Sequence, residues 1–164
     1  MERTLPAAVR LDSLLRERVY ALYTENYRHH WADKSHLYDG IPELLDGLRA
    51  KGLKIGVFSN KPNAFVQLCT QHFLSRWNLD AALGPMESVP KKPNPAGCRL
   101  IEQRWNLTAS EIAYVGDTCT DMETAANAGF FSIGVTWGFR PESELRAYHA
   151  HAIARKPSEI LEIL

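Results

Sequence analysis

Three short stretches of the chain carry residue types able to do chemistry together. Phe58-Ser59-Asn60-Lys61-Pro62 puts a hydroxyl and an amide just past an apolar run. Lys91-Lys92-Pro93-Asn94-Pro95 sets basic groups on a segment stiffened by prolines. Gly116-Asp117-Thr118-Cys119-Thr120-Asp121 places two carboxylates four residues apart across a strand-to-helix turn. Paired carboxylates suit a hard cation such as Mg²⁺, which takes few protein oxygens and keeps waters and substrate oxygens. Serine, amide and lysine are donors for phosphate oxygens, whose charge must be held during transfer. The lysine also offsets carboxylates that would otherwise repel an anionic substrate. Each piece alone has a plainer reading: Asp121 as a helix N-cap, Ser59-Asn60 as a turn, Lys91-Lys92 as a solvated charge pair.

The elements around these stretches decide whether they meet. Val9, Leu11, Leu14, Leu15, Val19, Leu22 and Tyr23 follow the helical period and predict an amphipathic helix over 9–27. An aromatic and histidine-rich stretch, Tyr27 to Trp31, runs on to the turn signal Tyr38-Asp39-Gly40. A helix from Pro42 to a stop at Gly52 comes next. Strands are expected at 53–58, 112–115, 131–135 and, more weakly, 150–154. Helices are expected at 63–74, 95–105 and 121–127, with a last one from Ser158. This alternation predicts an α/β fold with a parallel sheet covered on both faces. Ligands of such sheets sit outside the carboxyl ends of the strands, where all three reactive stretches fall. The boundary between a helical portion, 1–38, and the α/β portion, 39–164, is set at the turn signal.

Composition agrees with one globular core. The chain has 164 residues, 45% hydrophobic and 23% charged, which excludes disorder and low complexity. No apolar run approaches the roughly 20 residues of a membrane helix, and no secretory signal follows Met1, so neither a membrane nor a secreted setting is expected. Nineteen basic and nineteen acidic residues cancel, which argues against nucleic acid as a partner. Cys69, Cys98 and Cys119 are odd in number and scattered, which suits a reducing cytoplasm.

The run from Gly116 to Gly129, worded GDT-x-x-DM-x-x-A-x-x-AG, resembles the fourth motif of the haloacid dehalogenase-like hydrolase superfamily, in the wording of its phosphoglycolate phosphatase group. Val57 to Pro62 resembles the second motif, Lys92 to Pro95 the third, and Gly134-Val135-Thr136-Trp137-Gly138-Phe139 the tail that follows the fourth. The resemblance covers the chain from about Tyr38 onward, with the first helix similar to the second half of a helical cap. It implies a Rossmann-like parallel sheet and a Mg²⁺-dependent phosphomonoester hydrolase acting on a small phosphorylated metabolite, 2-phosphoglycolate being favoured by the wording. It also implies Asp117 and Asp121 at the Mg²⁺ site, Ser59 hydrogen-bonded to the transferring phosphoryl group, Lys92 stabilising its charge, and Asn60 assisting there by orientation.

The family's first motif, Asp-x-Asp-Gly-Thr after a first strand, does not occur in the 164 residues. That motif supplies the aspartate nucleophile that forms the aspartyl-phosphate, and the general acid/base two residues on. The resemblance therefore implies a core without its central strand, between those ending at Phe58 and Val115, an N-terminally incomplete chain, and impaired catalysis. A homodimer along the opened sheet is one expected consequence. The alternative reading is a non-catalytic protein that binds a phosphorylated metabolite or a partner with the remaining motifs. His29, His30 and His36 near Trp31 read as a partly exposed aromatic surface rather than a metal site, and the carboxylates around Cys119 disfavour a thiolate.

Overall fold

A computed structural model describes Pro6 and residues 12–164. Contacts divide the chain into two compact units, one ending at His36 and one running from Leu37 to Leu164. The described helix of the first unit is α1 (Ser13–His30), opened by the Asp12 carboxylate, which accepts the Leu15 N–H at 3.0 Å. Residues 9–11, expected to begin this helix, lie outside the described residues. Its end reaches past Tyr27 to His30, because Arg28 and His29 both turn back to Glu25, at 3.2 and 3.0 Å, and carry the last turn.

In the second unit the order is α2 (Ile41–Ala50), β1 (Gly56–Phe58), α3 (Asn63–Leu74), β2 (Ala81–Leu83), α4 (Ala96–Trp105), β3 (Ala113–Gly116), α5 (Cys119–Ala128), β4 (Phe131–Val135), α6 (Glu142–Ala147), β5 (Ala152–Ala154) and α7 (Ser158–Ile163). Every strand pairing is parallel, as the alternation predicts. The first strand is shorter than expected. Leu53, read as its start, instead returns its N–H to the Leu48 carbonyl at 3.0 Å and closes α2. β2 has no counterpart in the sequence reading. Ala81-Ala82-Leu83 is too short to show a period, and its strand exists because it pairs with β1.

The sheet is in two pieces, β1–β2 and β3–β4–β5. Between the facing edges of β1 and β3 lies a cavity of about 500 Å³, lined by Ile55 and Val57 on one side and Ala113 and Val115 on the other. Val115, on β3 with its unpaired edge, keeps 43% of its surface exposed. This is the position at which the resemblance sets the central strand. Each piece has its own apolar support. Leu44 and Ile160, from α2 and α7, pack on Ile133, Val135 and Ala154. Ile101 of α4 packs on Ala81 and Leu83. On the α5 side, Ala125 and Ala128 meet Cys98, Ile112 and Phe130.

Arg49 at the end of α2 ties the β1–β2 piece down. It donates to the Trp77 carbonyl at 2.8 Å and to the Asp80 carboxylate at 2.7 Å, and Asp80 also accepts the Ile55 N–H at 2.8 Å. Burial pushes the Asp80 carboxyl up, but the Ile55 N–H and the Arg49 guanidinium outweigh it and hold it below its ordinary value. A carboxyl whose pKa is lower folded than unfolded contributes stability above 3.8 and loses it as pH falls through the folded value.

Two outcomes follow for solution measurements. The stability advantage of the natural chain over Asp80→Asn, read from urea midpoints, is present at neutral pH and shrinks as the pH is lowered below 3.8; an unchanged gap on acidification would contradict the assignment. The divided sheet forgoes ladder bonds worth about 1 kcal/mol each. The 164-residue chain is therefore expected to bind the dye ANS without denaturant, or to associate. A sharp monomeric melt above about 55 °C without dye binding would contradict this.

Candidate active site

The site forms where β1 and β3 end. After Phe58 the ladder continues one step, with the Ser59 N–H donating to the Leu83 carbonyl at 3.0 Å. The Ser59 Oγ then accepts the Lys61 N–H at 3.1 Å, which fixes the turn and leaves the hydroxyl hydrogen for another acceptor. Asn60 does not point its amide outward. Its Oδ1 accepts the Lys92 N–H at 2.7 Å, and its Nδ2 donates to the Lys92 carbonyl at 3.2 Å.

Lys92 reaches inward from that anchored backbone. Its Nζ donates to Asp121 Oδ1 at 2.6 Å, with the two side chains only 13% and 7% exposed. The ammonium also lies 5.9 Å from the Phe58 ring centre and 5.8 Å from that of Tyr114, within cation–π range. Burial, followed by the Asp121 charge, pushes the Tyr114 phenol far above its ordinary value, so it stays neutral. Burial likewise pushes the Cys98 thiol up to about 12 despite the charge of Lys92.

The two carboxylates are held differently. Asp121 is not the N-cap of α5. Thr118 is, and Asp121 is the third residue of a capping box: its Oδ2 accepts the Thr118 N–H at 3.1 Å and the Thr118 hydroxyl at 2.6 Å. With Lys92 on Oδ1, both oxygens of this buried side chain are engaged. Asp117 keeps more freedom. Its Oδ2 accepts the Phe139 N–H at 2.8 Å, and among the described residues its Oδ1 accepts no hydrogen bond. A glycine lies against each carboxylate, because a Cβ at Gly116 would overlap Asp121 and one at Gly138 would overlap Asp117.

The structure thus brings Phe58, Lys92, Asp117 and Asp121 to the rim of the cavity between β1 and β3, with Ser59 and Asn60 adjoining through β1 and Lys92. The sequence gives no sign of the parts played by Tyr114 and the Phe139 backbone. Only the Thr118-x-x-Asp121 spacing was legible as a capping signal, since the other contacts join residues distant in sequence. Elsewhere, burial and then the Glu144 carboxylate push the Cys119 thiol up, which disfavours a nucleophilic thiolate there. His29 and His30 pair with Glu25 and Asp33, at 3.0 and 2.6 Å. Among the described residues no group of three or more His, Cys, Asp and Glu is arranged around a common point for a metal.

Comparison with known proteins bears on the same residues. The family model described as haloacid dehalogenase-like hydrolase matches residues 7–135. A phosphoglycolate phosphatase of Vibrio parahaemolyticus is 32% identical over 155 residues, 94% of this chain and 68% of that protein. An N-acetylmuramic acid 6-phosphate phosphatase of Pseudomonas aeruginosa is 30% identical over 94% of this chain and 69% of its own length. A crystal structure from Lactobacillus delbrueckii subsp. bulgaricus, provisionally assigned as a phosphoglycolate phosphatase, superposes with a TM-score of 0.90 at 30% identity, covering 98% of this chain and 66% of that one. The chain spans about two thirds of the length of these relatives.

Removing one partner of a buried ion pair leaves the other charged and unpaired, at a cost of about 3–5 kcal/mol. Asp121→Asn is expected to lower the unfolding free energy by about that amount, read from urea denaturation at neutral pH. A loss below about 1 kcal/mol, the weight of an exposed pair, would mean that Lys92 is solvated rather than held.

Proposed function

Because the chain belongs to the haloacid dehalogenase-like hydrolase family, we propose that it provides the phosphate-holding part of a Mg²⁺-dependent phosphomonoester hydrolase acting on 2-phosphoglycolate. The observation that carries this reading is the Lys92 ammonium, only 13% exposed and paired with Asp121, lining one cavity with the Asp117 carboxylate at the strand ends that also present the Ser59 hydroxyl. Two phosphatases among the relatives support the reaction class, and the phosphoglycolate wording of the fourth motif favours that substrate.

The residues divide the work by chemistry. Lys92 has three hydrogens on Nζ, of which Asp121 takes one, so the others can meet phosphoryl oxygens. The Ser59 hydroxyl, its oxygen already fixed by the Lys61 N–H, donates to another phosphoryl oxygen. Asp117 would hold Mg²⁺ through Oδ1, with Asp121 as the second carboxylate of the site and the counter-charge to Lys92. When bound, Mg²⁺ neutralises phosphate oxygens that two carboxylates alone would repel. A single open carboxylate suits a cation that keeps most of its water, so affinity for the isolated ion should be on the order of millimolar.

What these residues lack is the attack. Asp117 is committed to the cation, Asp121 to Lys92 and Thr118, and among the described residues no base hydrogen-bonds to the Ser59 hydroxyl. With no Asp-x-Asp-Gly-Thr in the 164 residues, we infer that the chain by itself binds phosphate and turns it over poorly. Losing a nucleophile costs several orders of magnitude, and what remains comes from binding. The same observation favours, as the second reading, a non-catalytic protein that binds a phosphorylated metabolite.

The chain is expected to hydrolyse 2-phosphoglycolate and p-nitrophenyl phosphate close to background with Mg²⁺ present. Joined to a strand carrying Asp-x-Asp-Gly-Thr it should become active, and Asp117→Asn should abolish that activity. Parallel assays with N-acetylmuramic acid 6-phosphate decide the substrate, preference for it replacing phosphoglycolate. An inert joined protein that still binds inorganic phosphate would favour the non-catalytic reading. Robust Mg²⁺-dependent turnover by the 164-residue chain, lost in Asp117→Asn, would require a nucleophile among these residues.

A further inference from the structure

We propose that Asn60 and Asn127 are positioning residues, whose amides clamp the Lys92–Pro93 backbone so that the Lys92 ammonium stays between Asp121 and the rings of Phe58 and Tyr114. The proposal rests on the reading of Lys92 as the cation that faces phosphate, and it gives Asn60 a positioning task apart from any contact with that phosphate.

The Asn60 side chain makes a two-bond bridge to one residue, accepting the Lys92 N–H at 2.7 Å and donating to the Lys92 carbonyl at 3.2 Å. An amide used in both directions has its orientation set by Lys92, with one Nδ2 hydrogen left over. What it gains is a tie between the end of β1 and a loop more than thirty residues away, |i−j| = 32. From the other side, Asn127 Nδ2 donates to the Pro93 carbonyl at 2.9 Å. Asn127 stands near the end of α5, and the same helix carries Asp121 in its first turn. Helix α5 therefore touches the loop twice, at the Lys92 head through Asp121 and at the backbone through Asn127. At 1.5 Å per residue, six residues of helix separate these contacts by about 9 Å, so the loop is laid along α5 rather than pinned at a point. Lysine is a flexible four-carbon stem with a point charge. Fixing its backbone at both ends of the dipeptide, and its head by one carboxylate and two ring faces, makes it a rigid donor.

The clamp is tested on the chain as it stands by labelling lysines with acetic anhydride and reading each site by mass spectrometry. Lys92 should react slowly, and neighbouring Lys91, which is exposed, provides the reference. Asn60→Ala and Asn127→Ala are each expected to raise labelling at Lys92 about fivefold, the weight of one net hydrogen bond, with the other lysines unchanged. Asn60→Asp keeps the acceptor for the Lys92 N–H and should fall between the natural chain and Asn60→Ala. An unchanged Lys92 rate in both alanine variants overturns the proposal. So does a uniform rise at all lysines in these variants, which marks general loosening instead of a clamp. Labelling is read without substrate, so a chain that hydrolyses nothing leaves this result intact. Conversely, weaker binding of inorganic phosphate by Asn60→Ala with unmoved Lys92 labelling would return Asn60 to the phosphate, sinking the clamp but not the phosphatase reading.

Discussion

The contact between Lys92 and Asp121, at 2.6 Å and nearly out of solvent, organises most of what surrounds it. A buried ammonium and a buried carboxylate each carry a desolvation cost that only good geometry and further hydrogen bonds offset. The further bonds are present on both sides. Asp121 takes two from Thr118, which begin α5, and Lys92 has its backbone held by Asn60 and aromatic faces beside its head. The start of a helix, the course of a loop and the placement of a cation are thus parts of one satisfied network. Such networks are stable when complete and costly when one member is lost.

That network stands at the rim of a sheet whose two pieces share no ladder bond. Parallel strands are normally paired on both edges and covered on both faces. Here β1 and β3 each offer one unpaired edge to an apolar cavity, and the polar groups gather where the strands end. The consequence is a division of labour. The interior of the cavity suits apolar side chains on an extended segment, whereas its mouth holds Lys92, Asp117 and Asp121. A strand seated there would bring its C-terminal residues directly to Lys92, Asp117 and Asp121.

Asp117 shows how backbone economy sets a functional side chain. Its Oδ2 is fixed by the Phe139 N–H, and Gly138 allows that loop to come close enough to give the bond. The other oxygen remains open toward the site. Asp121 is seated on Gly116 in the same way, but each of its oxygens already accepts a hydrogen bond. Two acids of one motif, four residues apart, therefore differ in what they can offer a cation, because of what their neighbours have already taken.

Much of this was legible in the order of residues. Periodicity placed β4 and α3 at their observed bounds, and α4 within a residue, because a parallel α/β core writes long apolar helices and apolar strands directly into the chain. The spacing of Asp117 and Asp121, and the Ser59 and Lys92 stretches at strand ends, marked the reactive groups before any coordinates. The Thr118-x-x-Asp121 signature was also readable, and reading Asp121 as the cap itself mistook which of the two residues stands outside the helix. Other features could come only from the folded chain. β2 is a strand because β1 lies beside it, Asn60 faces Lys92 because two loops converge, and Phe139 meets Asp117 because β4 lies next to β3. Local pattern determines which residues are helix, strand and polar turn, since those choices are made within a few residues. Which hydrogen-bonding group a side chain spends, and on whom, is decided by partners twenty to thirty residues away that only tertiary packing brings within 3 Å.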